Sequence, residues 1–268
     1  MQPIFWQMDG LTINTYAVCL VLGLIAGTIV SLIEARRQHI RSALLLDAIL
    51  AAAVFGVIAS RLGYALINWA YYQDHAAEIP RLWLGGLNWQ AALLGGSIGA
   101  WLIARRHSSP MAILDLLAIG TALGACFGWI GSYLSATAYG KELFPGQPFF
   151  FLAIDAPDWY GLTNPRWPTQ IIGAIWALLL FLLLWFMRKK VWPDGARYWL
   201  FVAAYSLGAI ILGFTRGDDV LTIGGWRIDQ ALDALLFTVA LIVLARLRLR
   251  HRSSPPQAAS TEAGATPG

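Results

Sequence analysis

Long apolar runs alternate with short polar breaks along this chain, and the spacing of the breaks predicts helices that cross a membrane. One stretch organises the pattern: Met111–Gly140, reading MAILDLLAIGTALGACFGWIGSYLSATAYG. It is apolar enough for lipid, carries Asp115 near one end, and repeats glycine at Gly120, Gly124 and Gly128. That spacing aligns the glycines on one side of a helix, where a neighbouring helix can approach closely. Ser132 and Ser135 extend the small-residue face. A helix of this kind is expected to be surrounded by others.

The remaining apolar runs supply those neighbours. Spans are predicted over residues 12–32, 44–70, a third entering through Trp83–Gly96 and reaching Ala104, then 111–136, 168–187, 197–214 and 228–245. Each is near the roughly 20 residues that about 30 Å of hydrocarbon needs. Gly85 and Gly86 let the chain enter the third span irregularly, which is tolerable only where protein or water shields the backbone. Residues 1–11, with Trp6 and Asp9, read as an amphipathic lead suited to an interface. Residues 141–167 form the longest external segment, with Pro145, Pro148, Pro157, Pro165, Asp155 and Asp158 among many aromatics. They are expected to make an ordered cap on the outer face, with room for a short helix. Residues 253–268 are rich in Ser, Pro and Ala and are expected to be a disordered cytoplasmic tail. The expected class is all-α: one polytopic transmembrane bundle of seven spans over residues 1–252.

Composition agrees with that picture. Only 13% of residues are charged and 58% are hydrophobic, against about 25% charged in soluble chains. Thirteen of the 19 Lys and Arg fall at 36–41, 105–106, 188–190, 197 and 246–252, all on one side of the predicted spans. The positive-inside rule then puts the N-terminus outside and the C-terminus in the cytoplasm. The net charge of +4 lies in short clusters between apolar runs, which argues against nucleic acid as a partner. Cys19 and Cys126 lie inside spans and read as small apolar residues. The first apolar run has no basic region before it and no small-residue cleavage site after it, so no cleavable signal peptide is expected.

Few polar groups fall within or beside the spans: Tyr16, Asp47, Arg61, Gln90, Asp115, Ser132, Ser135, Gln170, Asp229 and Asp233. An ionisable residue in a membrane is by default a functional hypothesis. Asp47 and Asp115 sit near the starts of helices, where a carboxylate is favoured, so capping is the plainer reading. Asp229 and Asp233 share one helix face, and a polar contact to the loop carrying Arg216 would account for them. Arg61 lies deep in its span, suited either to a headgroup phosphate or to a structural pair. The histidines His39, His75, His107 and His251 are scattered over both sides. No metal-ligand cluster, HExxH, GxSxG or phosphate-binding glycine loop is present, so no metal or cofactor is expected.

Several segments carry a family likeness. They are DGLTINTYA with Tyr16, ASRLGY with Arg61, GGLNWQAALLGG with Gln90, Asp115–Gly140 closing on Tyr139–Gly140, PTQ with Gln170, and Tyr205 through Arg216. In order and spacing they resemble the bacterial prolipoprotein diacylglyceryl transferases. These are seven-span inner-membrane enzymes that move diacylglycerol from phosphatidylglycerol to a lipobox cysteine thiol. The resemblance implies catalytic positions at Tyr16, Arg61, Gln90 and Arg216, and substrate-binding positions at Ser132, Ser135, Tyr139 and Gln170. Asp229 and Asp233 are added as substrate contacts able to take the thiol proton. The implied partners are phosphatidylglycerol or another anionic phospholipid, and lipobox prolipoproteins.

The departures fall on polar positions. Gln90 stands at the family's histidine, Trp129 at its signature arginine, Ser132 and Ser135 at its asparagines, and Thr137 at its glutamate. Gly173 and Gly213 stand at two further glutamates, and Ala209 at a second arginine. Glutamine donates a hydrogen bond but is no general base near neutral pH. Removing a charged partner from a dry site costs several kcal/mol, on the order of 3. Three readings follow: a transferase with a rebuilt site, a lipid- or lipoprotein-binding relative without transfer, or a transferase with another acceptor that uses the Asp218, Asp219, Asp229 and Asp233 cluster. A transporter is disfavoured, because no inverted repeat is visible.

Overall fold

A computed structural model describes residues 4–8, 11–106 and 109–253. The readings placed on Asp9, His107 and the tail 254–268 lie outside the described residues. Among the described residues, eight helices follow one another: α1 (Thr15–Arg37), α2 (Ser42–Ile67), the short α3 (Trp69–Tyr72), α4 (Trp89–Ala104), α5 (Pro110–Leu134), α6 (Thr169–Met187), α7 (Ala196–Gly213) and α8 (Ile228–Ser253). Six of them are long and apolar enough to cross a membrane, the last over Ile228–Arg250. The architecture is therefore a multi-pass helical bundle. α4 is apolar but has only 16 residues, about 24 Å of helix at 1.5 Å per residue.

Small antiparallel ribbons join the helices: β1 (Ile4–Met8) with β2 (Leu11–Asn14), β3 (Ile154–Pro157) with β4 (Thr163–Arg166), and β5 (Thr222–Ile223) with β6 (Trp226–Arg227). The segment read as an amphipathic lead is thus a hairpin, because Ile, Phe, Trp and Thr suit a pleated strand better than a helix. Within 141–167 the hairpin β3–β4 accompanies a single 3-10 turn at Phe150–Leu152. Backbone bonds sew this segment to the α7–α8 loop. Lys141 N donates to Thr215 O (2.7 Å) and Gly217 N to Tyr139 O (2.8 Å).

Small residues set the helix pairings. α1 lies on α5 and α2 on α4 along their lengths. A Cβ on Gly27 would sit 2.6 Å from Gly120 O, so these two helices touch through backbone. Ser31 Oγ adds a hydrogen bond to Leu116 O (3.2 Å). Gly124 faces Gly23, whereas Gly128 meets nothing nearer than Leu20 Cδ2 at 3.9 Å. The four-residue glycine stripe is therefore used over two of its three positions. Between α2 and α4, Cβ atoms on Gly95 and Gly99 would each come within 2.6 Å of a carbonyl oxygen, of Phe55 and Ala51. Lipid supplies no hydrophobic drive between helices, so close backbone packing of this kind carries the association. Large apolar side chains such as Ile25, Ile29, Leu50 and Leu66 point outward.

The end of the bundle bearing the basic clusters is tied by buried acids. Glu34 is fully buried; it pairs with Arg37 and accepts from Gln38 Nε2 at 2.7 Å, with Arg188 Nη1 at 3.7 Å. Asp115 accepts from Gly195 N (2.9 Å) and Tyr198 N (2.8 Å). It caps the N-terminus of α7 and not that of its own helix, joining α5 to α7 by taking two of the donors that a helix start leaves without an intrahelical partner.

The α1–α5 packing generates a paired prediction. Gly27→Ala should cost about 1–3 kcal/mol of unfolding free energy in detergent, because the added methyl meets backbone. Gly128→Ala should be neutral or stabilising by up to about 1 kcal/mol, the helix-propensity gain alone. Equal destabilisation at both positions would contradict this packing.

Candidate functional site

Apart from Asp47 and Asp115, which lie toward the basic clusters, the residues singled out in the sequence fall at the opposite end of the bundle, and α4 does much of the gathering. Asn88 caps α4, its Oδ1 accepting from Ala91 N at 2.8 Å, while Asn88 N donates to Ser60 O of α2 at 3.2 Å. The helix start is thereby pinned to α2, and Gln90 in its first turn faces α8. Gln90 Nε2 donates to Asp229 O (3.1 Å) and to Asp233 Oδ2 (3.2 Å). Asp229 and Asp233 are one turn apart on α8, so both fall on the side turned to α4 and α7.

Beside them lies an ionic lattice. Arg216 grips Asp218 with both arms of its fork, Nε at 2.9 Å and Nη2 at 2.6 Å, and reaches Asp229 at 3.2 Å. Arg227 bridges the same two carboxylates at 3.2 Å each and donates to Asp218 O at 2.8 Å. Two guanidiniums and two carboxylates close a ring around the β5–β6 hairpin. Burial opposes the charge on Arg216, but Asp218, Asp229 and Asp233 more than offset it and raise its pKa. Burial likewise pushes the Asp218 carboxyl up, yet Arg216 and Arg227 win and hold it below the usual carboxylate range. Tyr16 lies in electrostatic reach of Arg216 and Tyr205.

Arg61 is held elsewhere. It is 3% exposed, and its partners are carbonyls: Ile79 (2.7 Å), Glu78 (2.7 Å), Gly86 (3.2 Å) and a close approach to Gly85. The ring of Tyr72 lies 5.3 Å from its guanidinium carbon. Its donors are spent on the irregular stretch before α4, and arginine has about five to give. Arg61 thereby supplies donors to carbonyls of a stretch that has no regular backbone pairing of its own. Gly85 and Gly86 have φ of +77° and +74°, and a Cβ on Gly86 would fall 2.8 Å from Arg61 Nη1. Only glycine fits that approach. Among the described residues, Arg61 and Arg216 have no hydrogen-bond partner in common.

The end of α5 supplies a third group. Ser132 O accepts from Thr137 N (2.9 Å), and Gln170 Nε2 donates to Thr137 O (3.1 Å). Ser135 Oγ and Gln170 Oε1 are buried with no hydrogen-bond partner among the described residues. The ring of Tyr139 packs 5.0 Å from the Arg166 guanidinium, which pairs with Glu142 (2.8 Å) and Asp158 (3.1 Å). Trp129 spreads its indole over Gly173: a Cβ there would lie 2.5 Å from Trp129 Cε2. Tyr205 neighbours that indole and also meets Trp89, ring centroids 4.8 Å apart.

The structure thus joins Gln90, Arg216, Asp229 and Asp233, with Tyr16 nearby. It sets Arg61 apart and groups Ser132, Ser135, Tyr139 and Gln170 around the end of α5. Sequence reasoning passed over Arg227, Arg166 and Trp89 as site residues, named Tyr205 only as the start of a family-like segment, and gave Asp218 no definite partner. One signal was present: the Arg-x-Asp spacing occurs at Arg216–Asp218 and again at Arg227–Asp229, on either side of the Gly224–Gly225 turn.

The depressed Asp218 carboxyl has a pH consequence. Its contribution to stability is complete above the unfolded value of about 3.9 and is lost as pH falls through the lower folded value. Acid denaturation below about pH 4 should therefore show a loss of stability that Asp218→Asn removes. An unchanged acid limb in that variant would contradict the lattice.

Comparison with known proteins bears on the same residues. The chain matches the family described as prolipoprotein diacylglyceryl transferase over residues 3–246. It is 28% identical to the phosphatidylglycerol–prolipoprotein diacylglyceryl transferase of Streptococcus mutans over 254 residues, covering 94% of this chain and 97% of that protein. The protein of the same name from Staphylococcus saprophyticus is 25% identical over 259 residues, covering 94% and 91%. That of Limosilactobacillus reuteri is 28% identical over 263 residues, covering 95% and 94%. The chain belongs to the prolipoprotein diacylglyceryl transferase family, as a transferase-like multi-pass membrane protein.

Proposed function

We propose that this protein sits in the bacterial inner membrane and brings a glycerophospholipid together with a lipobox cysteine at the end of the bundle holding Arg216. α4 completes seven spans, its short helix extended by the Arg61-shielded stretch before it. The basic clusters then face the cytoplasm together with the C-terminus, and the lattice faces outward. The observation that carries the reading is the meeting of Gln90, Arg216, Asp229 and Asp233 at one end of a chain that the family matches over nearly its whole length.

The reaction so read is diacylglyceryl transfer. The cysteine sulfur attacks the diacylglycerol carbon that bears the phosphate. A C–S bond forms, the C–O bond breaks, and the headgroup phosphate leaves with the electron pair. The thiol proton passes to water at the outer face. Arg216 trades a carboxylate for a phosphate oxygen as charge builds on the leaving group. Tyr16 orients the glycerol, Gln90 and Ser132 hydrogen-bond within the site, and Ser135, Tyr139 and Gln170 line it. Arg61 acts by holding the stretch from which α4 springs.

A second reading, binding of a lipid or lipoprotein without transfer, is favoured by one feature of the site. Arg216 is already gripped by two carboxylates, and Gln90 has no proton to exchange. Complementation of a transferase-depleted bacterium separates the two. Growth is expected with the parent chain, and transfer should fall about 10- to 100-fold with Arg216→Lys, which keeps the charge but removes the fork. No growth with the parent despite full membrane expression would remove transfer and leave binding.

A further inference from the structure

The β5–β6 hairpin has two unlike faces. Its register pairs Thr222 with Arg227 and Ile223 with Trp226. The turn between them is Gly224–Gly225, with φ of +59° and +82°, as a two-residue hairpin turn requires. Directly paired residues share a face of a ribbon, and successive residues alternate. Thr222 and Arg227 therefore lie on one face and Ile223 and Trp226 on the other, with Leu221 joining the second. The first face carries Arg227 to Asp218 and Asp229. The second is apolar and open: Leu221 is 49% exposed, Ile223 62% and Trp226 52%. This apolar face does not stand alone. The ring of Trp226 meets that of Phe214 at 5.8 Å and 68°, and Phe214 is the residue on which α7 ends. Leu207, Ile211 and Phe214 are all exposed. Their spacing of four and three puts them on one side of the helix. α7 is long and apolar enough to cross a membrane, so that outward row of large apolar side chains faces lipid. The hairpin continues the row past the end of the helix. An apolar patch of this continuity marks a surface that is covered, and tryptophan is favoured where hydrocarbon gives way to headgroups.

We infer that the hairpin seats its Leu221, Ile223 and Trp226 face in the bilayer leaflet at the Arg216 end of the bundle, while Arg227 on the opposite face stays in the ionic lattice. The partner is the lipid surface itself, because the face prolongs a row of side chains that already meets lipid. The competing occupant is an apolar segment of a protein substrate, for which that continuity gives no reason. The hairpin is thus held from two sides, by hydrocarbon on one and by Asp218 and Asp229 on the other. How it sits in the leaflet sets where Arg227 holds those carboxylates, and they are the ones that Arg216 grips. The inference depends neither on transfer nor on which side of the membrane this end occupies.

The test is collision accessibility of spin labels on the full-length chain in phosphatidylglycerol nanodiscs, with Cys19 and Cys126 replaced by alanine. Labels go singly on Leu221→Cys, Thr222→Cys and Ile223→Cys. The ratio of collisions with oxygen to collisions with an aqueous nickel chelate should be about tenfold higher at positions 221 and 223 than at 222, the scale on which an aliphatic side chain prefers hydrocarbon to water. Position 221 reads the same face if the Ile223 variant fails to fold. Equal ratios at all three positions, whether all wet or all in lipid, would overturn the inference. So would shielding of 221 and 223 that arises only when a lipobox signal peptide is added, since the face would then dock protein and not lipid. A chain that shows the alternation yet fails complementation loses only the transfer reading.

Discussion

Burying arginine among carboxylates, in numbers that nearly but not fully cancel, is the constraint on which the candidate site depends. A charge taken out of water is costly unless its partners are close and its remaining hydrogens are used. Arg216 and Arg227 meet that condition by sharing Asp218 and Asp229. The sharing fixes the β5–β6 hairpin against the start of α8, and with it the positions of Asp229 and Asp233. The segment 141–167 joins the same arrangement through Arg166 and the Gly140–Arg216 bridge. Arg61 answers the same physical demand by another route, with carbonyl dipoles in place of carboxylates.

Around the lattice, bulk has been fitted to the gaps that glycine leaves. The Trp129 indole occupies the space above Gly173, and the Gln230 side chain presses on Gly213, where a Cβ would lie 2.6 Å from its Cδ. A large side chain and a missing one complement each other across two helices, so that the space is a packed wall and not a void, which would itself be destabilising.

Six of the seven expected spans are legible in the sequence because membrane length and apolarity are properties of a run, and neighbouring residues suffice to read them. The close approach at Gly120 and Gly124 is legible for a similar reason, since a four-residue spacing defines a helix face. What Asp115 caps is not legible: its partners Gly195 and Tyr198 lie some 80 residues on, and only the packing of α5 on α7 brings them together. The ribbons are hidden by their size, two to five residues each, too short for an alternating pattern to stand out. At the site, Gln90, Asp229 and Asp233 could each be picked out as polar residues in apolar surroundings, and Arg216 by the family-like segment it closes. That Arg61 belongs with a loop and Arg216 with a lattice depends on distances between elements far apart in the chain, and sequence spacing carries no such information.

The account turns on whether Arg216 and Asp229 are coupled in the folded protein. A double-mutant cycle with Arg216→Met and Asp229→Asn, read as unfolding free energy of the full chain in mixed micelles, measures this directly. The lattice predicts a coupling of about 1.5–3 kcal/mol, within the range for close, partly buried charge pairs. Additive effects of the two substitutions, with coupling near zero, would contradict it.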